Sequence, residues 1–261
     1  MIRLCLVGGL GRMGKAIASL LADEEDLQIV SAWETREAIG EIDYSTAAGY
    51  TKNPVSITAD GQEAVQSSDV VVDFSLARAF AEVVHVCEEQ SKPLVTGTTG
   101  IADKEARLRT LAEKVAVVSA PNMAAGVNAI FCICRILARA LGRTSDIEIV
   151  ETHHRTKKDV PSGTALEVAR ILGEETGKPV RVGRTEENVE RADGIFIHSL
   201  RTGSVAGKHA IVFSPQGETI EIIHTAQSRA CFAAGVLRAV RFVADSPPGL
   251  YNMLDVVGIR L

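Results

Sequence analysis

Two adjacent histidines, His153 and His154, close an apolar run and are followed by Arg155, Lys157 and Lys158 and then by Ser162-Gly163-Thr164. These residue types suit proton transfer beside a bound anion. An imidazole exchanges protons near neutral pH, Lys157 can supply a proton or pair with an anion, and the amides of a helix start attract negative charge. A strand-end histidine pair next to a solvated basic loop is the plainer alternative, because lone histidines and charge runs seldom mean chemistry. The convergence of all three features in one short stretch favours the proton-transfer site.

The elements around this stretch must position it. Asp146–Thr152 alternates β-branched and polar residues and reads as a strand, so His153 and His154 point to opposite faces and only one can enter the core. Beyond them Leu166, Ala169 and Leu172, with Val168 and Ile171 beside them, recur at helical spacing, and Ser162 stands where an N-cap belongs. Free amide donors are therefore expected at Gly163, Thr164 and Ala165, with Gly163 allowing close approach of a ligand. A carboxylate suits that position.

A second chemical motif lies at the beginning of the chain. The buried-strand pattern Ile2–Val7 runs into Gly8-Gly9-Leu10-Gly11-Arg12-Met13-Gly14, and helical spacing follows over Lys15–Ala22. Gly9, Gly11 and Gly14 have the GxGxxG spacing, and the next strand, Leu27–Ala32, delivers Glu34. Glycines there permit the tight turn, approach of a pyrophosphate and close helix packing, while the carboxylate can bind an adenosine ribose. The alternative is a glycine-rich turn without a ligand. In a doubly wound sheet ligands sit beyond the carboxyl ends of the strands. Strands are expected at Val70–Ser75, Pro93–Thr96 and Val115–Ser119, so Ser75, the loop Gly97-Thr98-Thr99-Gly100 and the loop Ala120-Pro121-Asn122-Met123 collect there. Asn122 is a candidate partner for a nicotinamide carboxamide.

The rest of the chain fits an α/β protein: a Rossmann-type doubly wound parallel sheet with a second α+β domain built on a mixed sheet. Helices are expected at 60–68, 76–89, 102–114, 126–141 and 229–244, a turn-rich excursion at 36–58 and an exposed connection at 173–191. Strands at 195–201, 208–213 and 219–225, the last two joined by a turn at Pro215–Gly217, should build the second sheet with the His153 strand. Residues 1–123 with 230–261 are read as the dinucleotide-binding domain and 124–229 as a substrate-binding and oligomerisation domain. With 261 residues, 46% of them hydrophobic, the chain can bury such a core. A net charge of -5 argues against bulk nucleic-acid affinity. Cys5, Cys87, Cys132, Cys134 and Cys231 lack a paired CxxC spacing and read as reduced packing residues, with no metal site. No leader, transit peptide or membrane span is evident, which points to the cytoplasm.

Taken together, GGLGRMG and ETHHRTKKDVPSGTA, with GTTG and APNM between them, resemble the dihydrodipicolinate reductases of lysine and diaminopimelate synthesis, also called 4-hydroxy-tetrahydrodipicolinate reductases. The similarity spans nearly the whole chain. It implies reduction by NADH or NADPH of the cyclic dicarboxylate imine formed from pyruvate and aspartate semialdehyde. It also implies His153 as proton donor/acceptor, Lys157 as second proton donor, and His154, Ser162, Gly163 and Thr164 as substrate ligands. Cofactor ligands matched by the resemblance are Gly8, Gly9, Leu10, Gly11, Arg12 and Met13, then Glu34, Gly97, Thr98 and Thr99, then Ala120 to Met123. A homotetramer built through the second sheet is implied as well.

Two positions depart from the family pattern. Thr156 stands where many relatives carry another histidine, and Thr35 where some carry an arginine for a 2′-phosphate. Arg12 and Arg36 are candidate substitutes for the latter. An aspartate-dehydrogenase-like enzyme on the same plan and a catalytically silent NAD-binding sensor are the alternatives. The sensor has no need of His153, Lys157 and Ser162-Gly-Thr together.

Overall fold

The structure, a computed structural model, describes residues 1–40, 43–184 and 189–259. Two compact units divide the chain: Met1–Ala125 with residues 229–259, and Gly126–Ser228.

The first unit opens with β1 (Ile2–Val7), α1 (Arg12–Leu21) and β2 (Leu27–Trp33). Helix α1 begins three residues before the expected Lys15, because Gly11 takes extended N-cap geometry and its carbonyl accepts the Lys15 amide at 3.0 Å. The turn-rich excursion contains α2 (Arg36–Ile39), α3 (Tyr44–Ala48) and β3 (Ser56–Thr58); its residues 41–42 lie outside the described residues. Strands and helices then alternate as α4 (Gly61–Gln66), β4 (Val70–Asp73), α5 (Phe80–Glu89), β5 (Leu94–Thr96), α6 (Lys104–Ala112) and β6 (Ala116–Ser119).

In the strands of this unit alternate residues enter different cores. Leu4, Leu6, Val70, Val72 and Val118 pack with α1 and α3, whereas Cys5, Val7, Val71, Leu94 and Val117 pack with α4, α5 and α6. A parallel sheet covered on both faces requires that continuous apolar content.

The second unit contains α7, which starts at the boundary (Ala125–Leu141), then β7 (Asp146–His153), α8 (Gly163–Thr176), β8 (Val180–Val182), β9 (Ile195–Arg201), β10 (Gly207–Ser214) and β11 (Ile220–Ala226). Its sheet runs β11-β10-β7-β9-β8. The sheet is mixed: β10 is antiparallel to β7 and β11, and β9 is parallel to β7 and β8. Ile147, Ile149, Ile197, Ile211 and Phe213 pack against Ala165, Val168, Ala169 and Leu172 of α8 and against Ile130 and Cys134 of α7. Leu166, expected on the apolar stripe of α8, points outward instead and is 46% exposed. One residue away, Ala165 holds the core position. The hairpin turn carries Gly217 at φ 84°, a left-handed conformation that glycine adopts without steric cost. Of the connection expected at 173–191, residues 185–188 lie outside the described residues.

The chain then returns to the first unit as α9 (Ala230–Asp245), β12 (Gly249–Tyr251) and α10 (Met253–Val256), and the expected closing segment is described up to residue 259. With β12 the first sheet reads β12-β6-β5-β4-β1-β2-β3, and every pairing is parallel. Ala233, Val236, Leu237 and Val240 of α9 complete the core shared with α1. The expected fold class is the observed one. Cys5, Cys87, Cys132 and Cys134 are buried, and Cys231 is half-buried. Among the described residues no helix is long and apolar enough to cross a membrane, and no cluster of His, Cys, Asp and Glu is arranged to hold a metal.

Candidate active site

In the first unit the glycine turn is built for close approach. Gly8, just before the motif's first glycine, takes φ 76° and its carbonyl accepts the Gly11 amide at 3.0 Å, so the reversal of the chain falls one residue earlier than the spacing alone suggests. A Cβ on Gly14 would lie 2.2 Å from the Gly9 carbonyl oxygen, which is why α1 can press against the turn. No side chain caps α1 at the exposed Gly11. The start of that helix therefore suits a diphosphate.

Glu34, at the end of β2, accepts the Leu10 amide at 2.5 Å, which fixes its carboxylate over the same turn. Burial pushes its pKa up, opposed by that hydrogen bond. Arg12 and Arg36 occupy exposed first positions of α1 and α2, and Thr35 is exposed beside them.

The loop after β4 and the end of β5 are tied together by Asp73, which is fully buried. Its carboxylate accepts the Ser75 amide at 2.9 Å, the Ser75 hydroxyl at 2.6 Å and the Thr96 hydroxyl at 2.8 Å. Thr96 in turn accepts the Thr98 amide at 3.3 Å, and Lys104 donates to the Thr98 carbonyl at 2.6 Å. Gly97 has room for nothing larger, since a Cβ would stand 2.2 Å from the Phe74 ring. Thr99 and Pro121 are exposed, whereas Ala120 and Met123 are buried and can offer a ligand only backbone. Asn122 uses its side-chain carbonyl to accept the Ala124 amide at 2.9 Å, so that end of the expected carboxamide partner holds the loop.

In the second unit His153 is buried and His154 half-buried, as alternation along β7 requires. Ser162 caps α8, its hydroxyl oxygen accepting the Ala165 amide at 3.3 Å. The expectation of a free Ala165 donor is thereby corrected, because the cap itself consumes that amide. Gly163 is exposed, and a Cβ there would meet nothing within 4 Å, so the space beside it is open. Lys157 pairs with Asp159 at 2.8 Å. His154 Nδ1 lies 2.7 Å from the Thr156 hydroxyl, so the threonine at the departing position orients this imidazole.

Three groups without an expected role organise the cluster. Glu151, fully buried, bonds His153 Nδ1 with one oxygen and accepts the Ser162 amide at 3.1 Å with the other. Arg201 donates to both Glu151 oxygens, at 2.9 and 2.8 Å. His209, across from Glu151 in the β7–β10 register, places Nε2 3.2 Å from the Ser162 hydroxyl and its ring edge-on to His153 at 5.2 Å. A signal for Glu151 was present in the sequence: it stands two residues before His153, hence on the same strand face, and a carboxylate facing a core demands partners. No comparable signal marked Arg201 or His209, because register between distant strands selects them.

The electrostatics follow from burial. For Glu151, burial alone would raise the carboxyl pKa, but hydrogen bonds from Arg201 and His153 help carry it down to about 2. His153 is lowered by burial, with the positive charges of Lys157 and Arg201 acting in the same direction and the contact with Glu151 opposing them. Burial lowers His209 from 6.5 to about 4.

A histidine that binds protons less tightly when folded contributes stability that is complete above its unfolded pKa and lost as pH falls toward its folded one. Stability is thus expected to decline from pH 6.5 toward 4, with His209 alone accounting for roughly 3 kcal/mol. Urea unfolding at a series of pH values checks this, and His209→Gln should flatten the slope over that window. Equal slopes for the two proteins would mean that His209 is not held neutral.

Two family models match the chain, "Dihydrodipicolinate reductase, N-terminus" over residues 2–123 and "Dihydrodipicolinate reductase, C-terminus" over 126–257. Proteins named 4-hydroxy-tetrahydrodipicolinate reductase from Syntrophus aciditrophicus and Methanothermobacter thermautotrophicus are 38% and 40% identical to it, each aligned over 100% of both chains. Among solved structures, a dipicolinate-bound dihydrodipicolinate reductase from Paenisporosarcina superposes with a TM-score of 0.81 at 26% identity, covering 98% of each chain. An amine dehydrogenase from Mycobacterium smegmatis, 15% identical with a TM-score of 0.65 over 97% of this chain and 95% of its own, shares the fold.

Proposed function

The chain belongs to the dihydrodipicolinate reductase family, and from that premise we propose which of its residues carry the reduction. The reaction is the NAD(P)H-dependent reduction of the cyclic imine 4-hydroxy-tetrahydrodipicolinate to tetrahydrodipicolinate, a step of lysine and diaminopimelate biosynthesis. One hydride and one proton enter the substrate, and its hydroxyl leaves as water.

The glycine turn at Gly8–Met13, Glu34, and the loops Gly97–Thr99 and Ala120–Met123 hold the cofactor, whose dihydronicotinamide supplies the hydride. His153 delivers the proton that quenches the electron density a hydride leaves on a conjugated imine, and Lys157 serves as the second donor. The observation that carries these roles is the arrangement of His153 and the Ser162-capped start of α8 on the two oxygens of one buried carboxylate. His154, Ser162, Gly163 and Thr164 bind the substrate carboxylates. His209 Nδ1 is buried with no partner among the described residues, which favours a bare nitrogen there and an N–H at Nε2 donating to Ser162. The Ser162 oxygen then accepts twice, and its own hydrogen is left for a substrate carboxylate. A bound dianion beside His153 favours the imidazolium the step requires.

NADH should be used at least as well as NADPH, because Glu34 suits a ribose diol and repels a 2′-phosphate. Cofactor oxidation with freshly made imine checks both the reaction and the preference. A kcat/KM ratio favouring NADPH by more than about tenfold, ~1.4 kcal/mol, would show that Arg12 or Arg36 dominates.

Pyridine-2,6-dicarboxylate, a planar analogue with two carboxylates, should compete with the imine. Thr164→Val should weaken this inhibitor while leaving NADH affinity within about twofold, corresponding to ~0.4 kcal/mol. Equal losses in both would move the carboxylate site away from the start of α8.

We assign the enzyme to the cytoplasm, consistent with the buried free thiols Cys5, Cys87, Cys132 and Cys134, and to a tetramer joined through the second unit's sheet, where Leu200 and Ile223 are more than half exposed.

A further inference from the structure

We propose that Glu151 is the positioning residue for the proton donor: its carboxylate fixes His153 with hydrogen on Nδ1 and Nε2 turned to the substrate, and joins that acid to the carboxylate-binding helix start. The proposal rests on the assignment of His153 as the donor.

Four donors converge on this one buried carboxylate: His153 Nδ1, the Ser162 amide at 3.1 Å and two Arg201 nitrogens at 2.9 and 2.8 Å. Arg201 also donates to the Asp159 carbonyl at 2.5 Å, and the Asp159 carboxylate holds Lys157. Three components of the site, His153, the cap of α8 and the loop carrying Lys157, are therefore fastened to one ion pair. A carboxylate kept ionised by Arg201 can only accept, so neutral His153 must present Nδ1–H to it. Nε2 is then the bare nitrogen. Opposite it stands Gly207, where a Cβ would lie 3.2 Å from Nε2, so glycine keeps that edge of the ring clear.

In the reaction His153 enters as imidazolium, gives the proton on Nε2 to the substrate and retains the one on Nδ1. It ends neutral, and solvent restores the lost proton. Around the ring lie Glu151 on the same strand, Arg201 from β9, His209 from β10 and Lys157 from the following loop, with Asp159 behind Lys157 and His224 of β11 behind His209. Only Glu151 among these is a negative group bonded to the imidazole, so the imidazolium depends on it.

Glu151→Gln supplies an amide that can donate to Nδ1 and carries no charge. It should invert the tautomer and destabilise the imidazolium. At pH 8 the expected loss in kcat is at least about 10²-fold, with NADH affinity within about threefold of wild type. Activity should recover as pH is lowered toward 6, since the variant needs more acid to form imidazolium. A loss of the same size at every pH, or a loss below about threefold, overturns the proposal.

Should the variant not fold, histidine ¹⁵N NMR of the wild-type protein decides, with the His153 signals assigned by their absence in His153→Gln. Hydrogen on Nδ1 at neutral pH supports the proposal, and hydrogen on Nε2 overturns it. Imine turnover by the wild type tests the reductase assignment separately, and the tautomer stands independent of that result.

Discussion

His153→Gln should lower kcat by at least about 10²-fold, and Lys157→Ala should do the same, while both proteins bind NADH normally. Removing a positioned acid removes a proton transfer that occurs only in the transition state, so the loss falls on kcat. The residues proposed to hold the cofactor belong to the first unit, and both substitutions lie in the second. If both groups serve one proton-transfer step, the double variant loses far less than the product of the single losses. Thr156→Ala should be mild by comparison, because it releases the orientation of His154 without removing either donor. Steady-state assays with saturating NADH check all four proteins. A His153→Gln enzyme keeping more than half of wild-type kcat would make His153 a satisfied strand-end residue and move the acid to Lys157 or His154.

Gly14→Ala should cost about 10- to 100-fold in NADH affinity, corresponding to roughly 1–3 kcal/mol of overpacking at the turn. The added methyl would stand 2.2 Å from the Gly9 carbonyl oxygen and 2.4 Å from its carbonyl carbon. Both are backbone, so the glycine loop or α1 itself must move, and the Leu10 amide that Glu34 accepts moves with it. Pyridine-2,6-dicarboxylate should still bind, since the residues proposed to hold its carboxylates lie in the other unit. Titration calorimetry with each ligand separates the outcomes. Unchanged NADH affinity would mean that the turn has slack the geometry does not show.

The first unit was legible because its instructions are local. Short strands of three to seven residues, glycines at fixed spacing and strand-end polar groups each act within a few positions, and their order defines a doubly wound sheet. Departures came where packing overrode pattern. Leu166 lies next to the apolar stripe in sequence, yet α8 turns it to solvent, and Ser162 spends the Ala165 amide on its own cap. The candidate site was only partly legible for a different reason. His153, Lys157 and Ser162-Gly-Thr are contiguous, so the chain displays them together. Arg201 and His209 lie on other strands, and only the pairing of β7 with β9 and β10 brings them to Glu151. Glu151 carried a signal as a carboxylate on the core face of β7, but its ion pair with Arg201 is a product of the fold.

We propose His153 as the principal proton donor in the reduction of the imine by NAD(P)H. The most direct test is rapid mixing of NADH-loaded protein with freshly made imine, following loss of dihydronicotinamide absorbance in a single turnover, for wild type beside His153→Gln. Imine-dependent loss in the wild type, slowed by at least about 10²-fold in the variant at equal NADH occupancy, is the predicted result. No imine-dependent loss in the wild type, or equal rates in the two proteins, would contradict it.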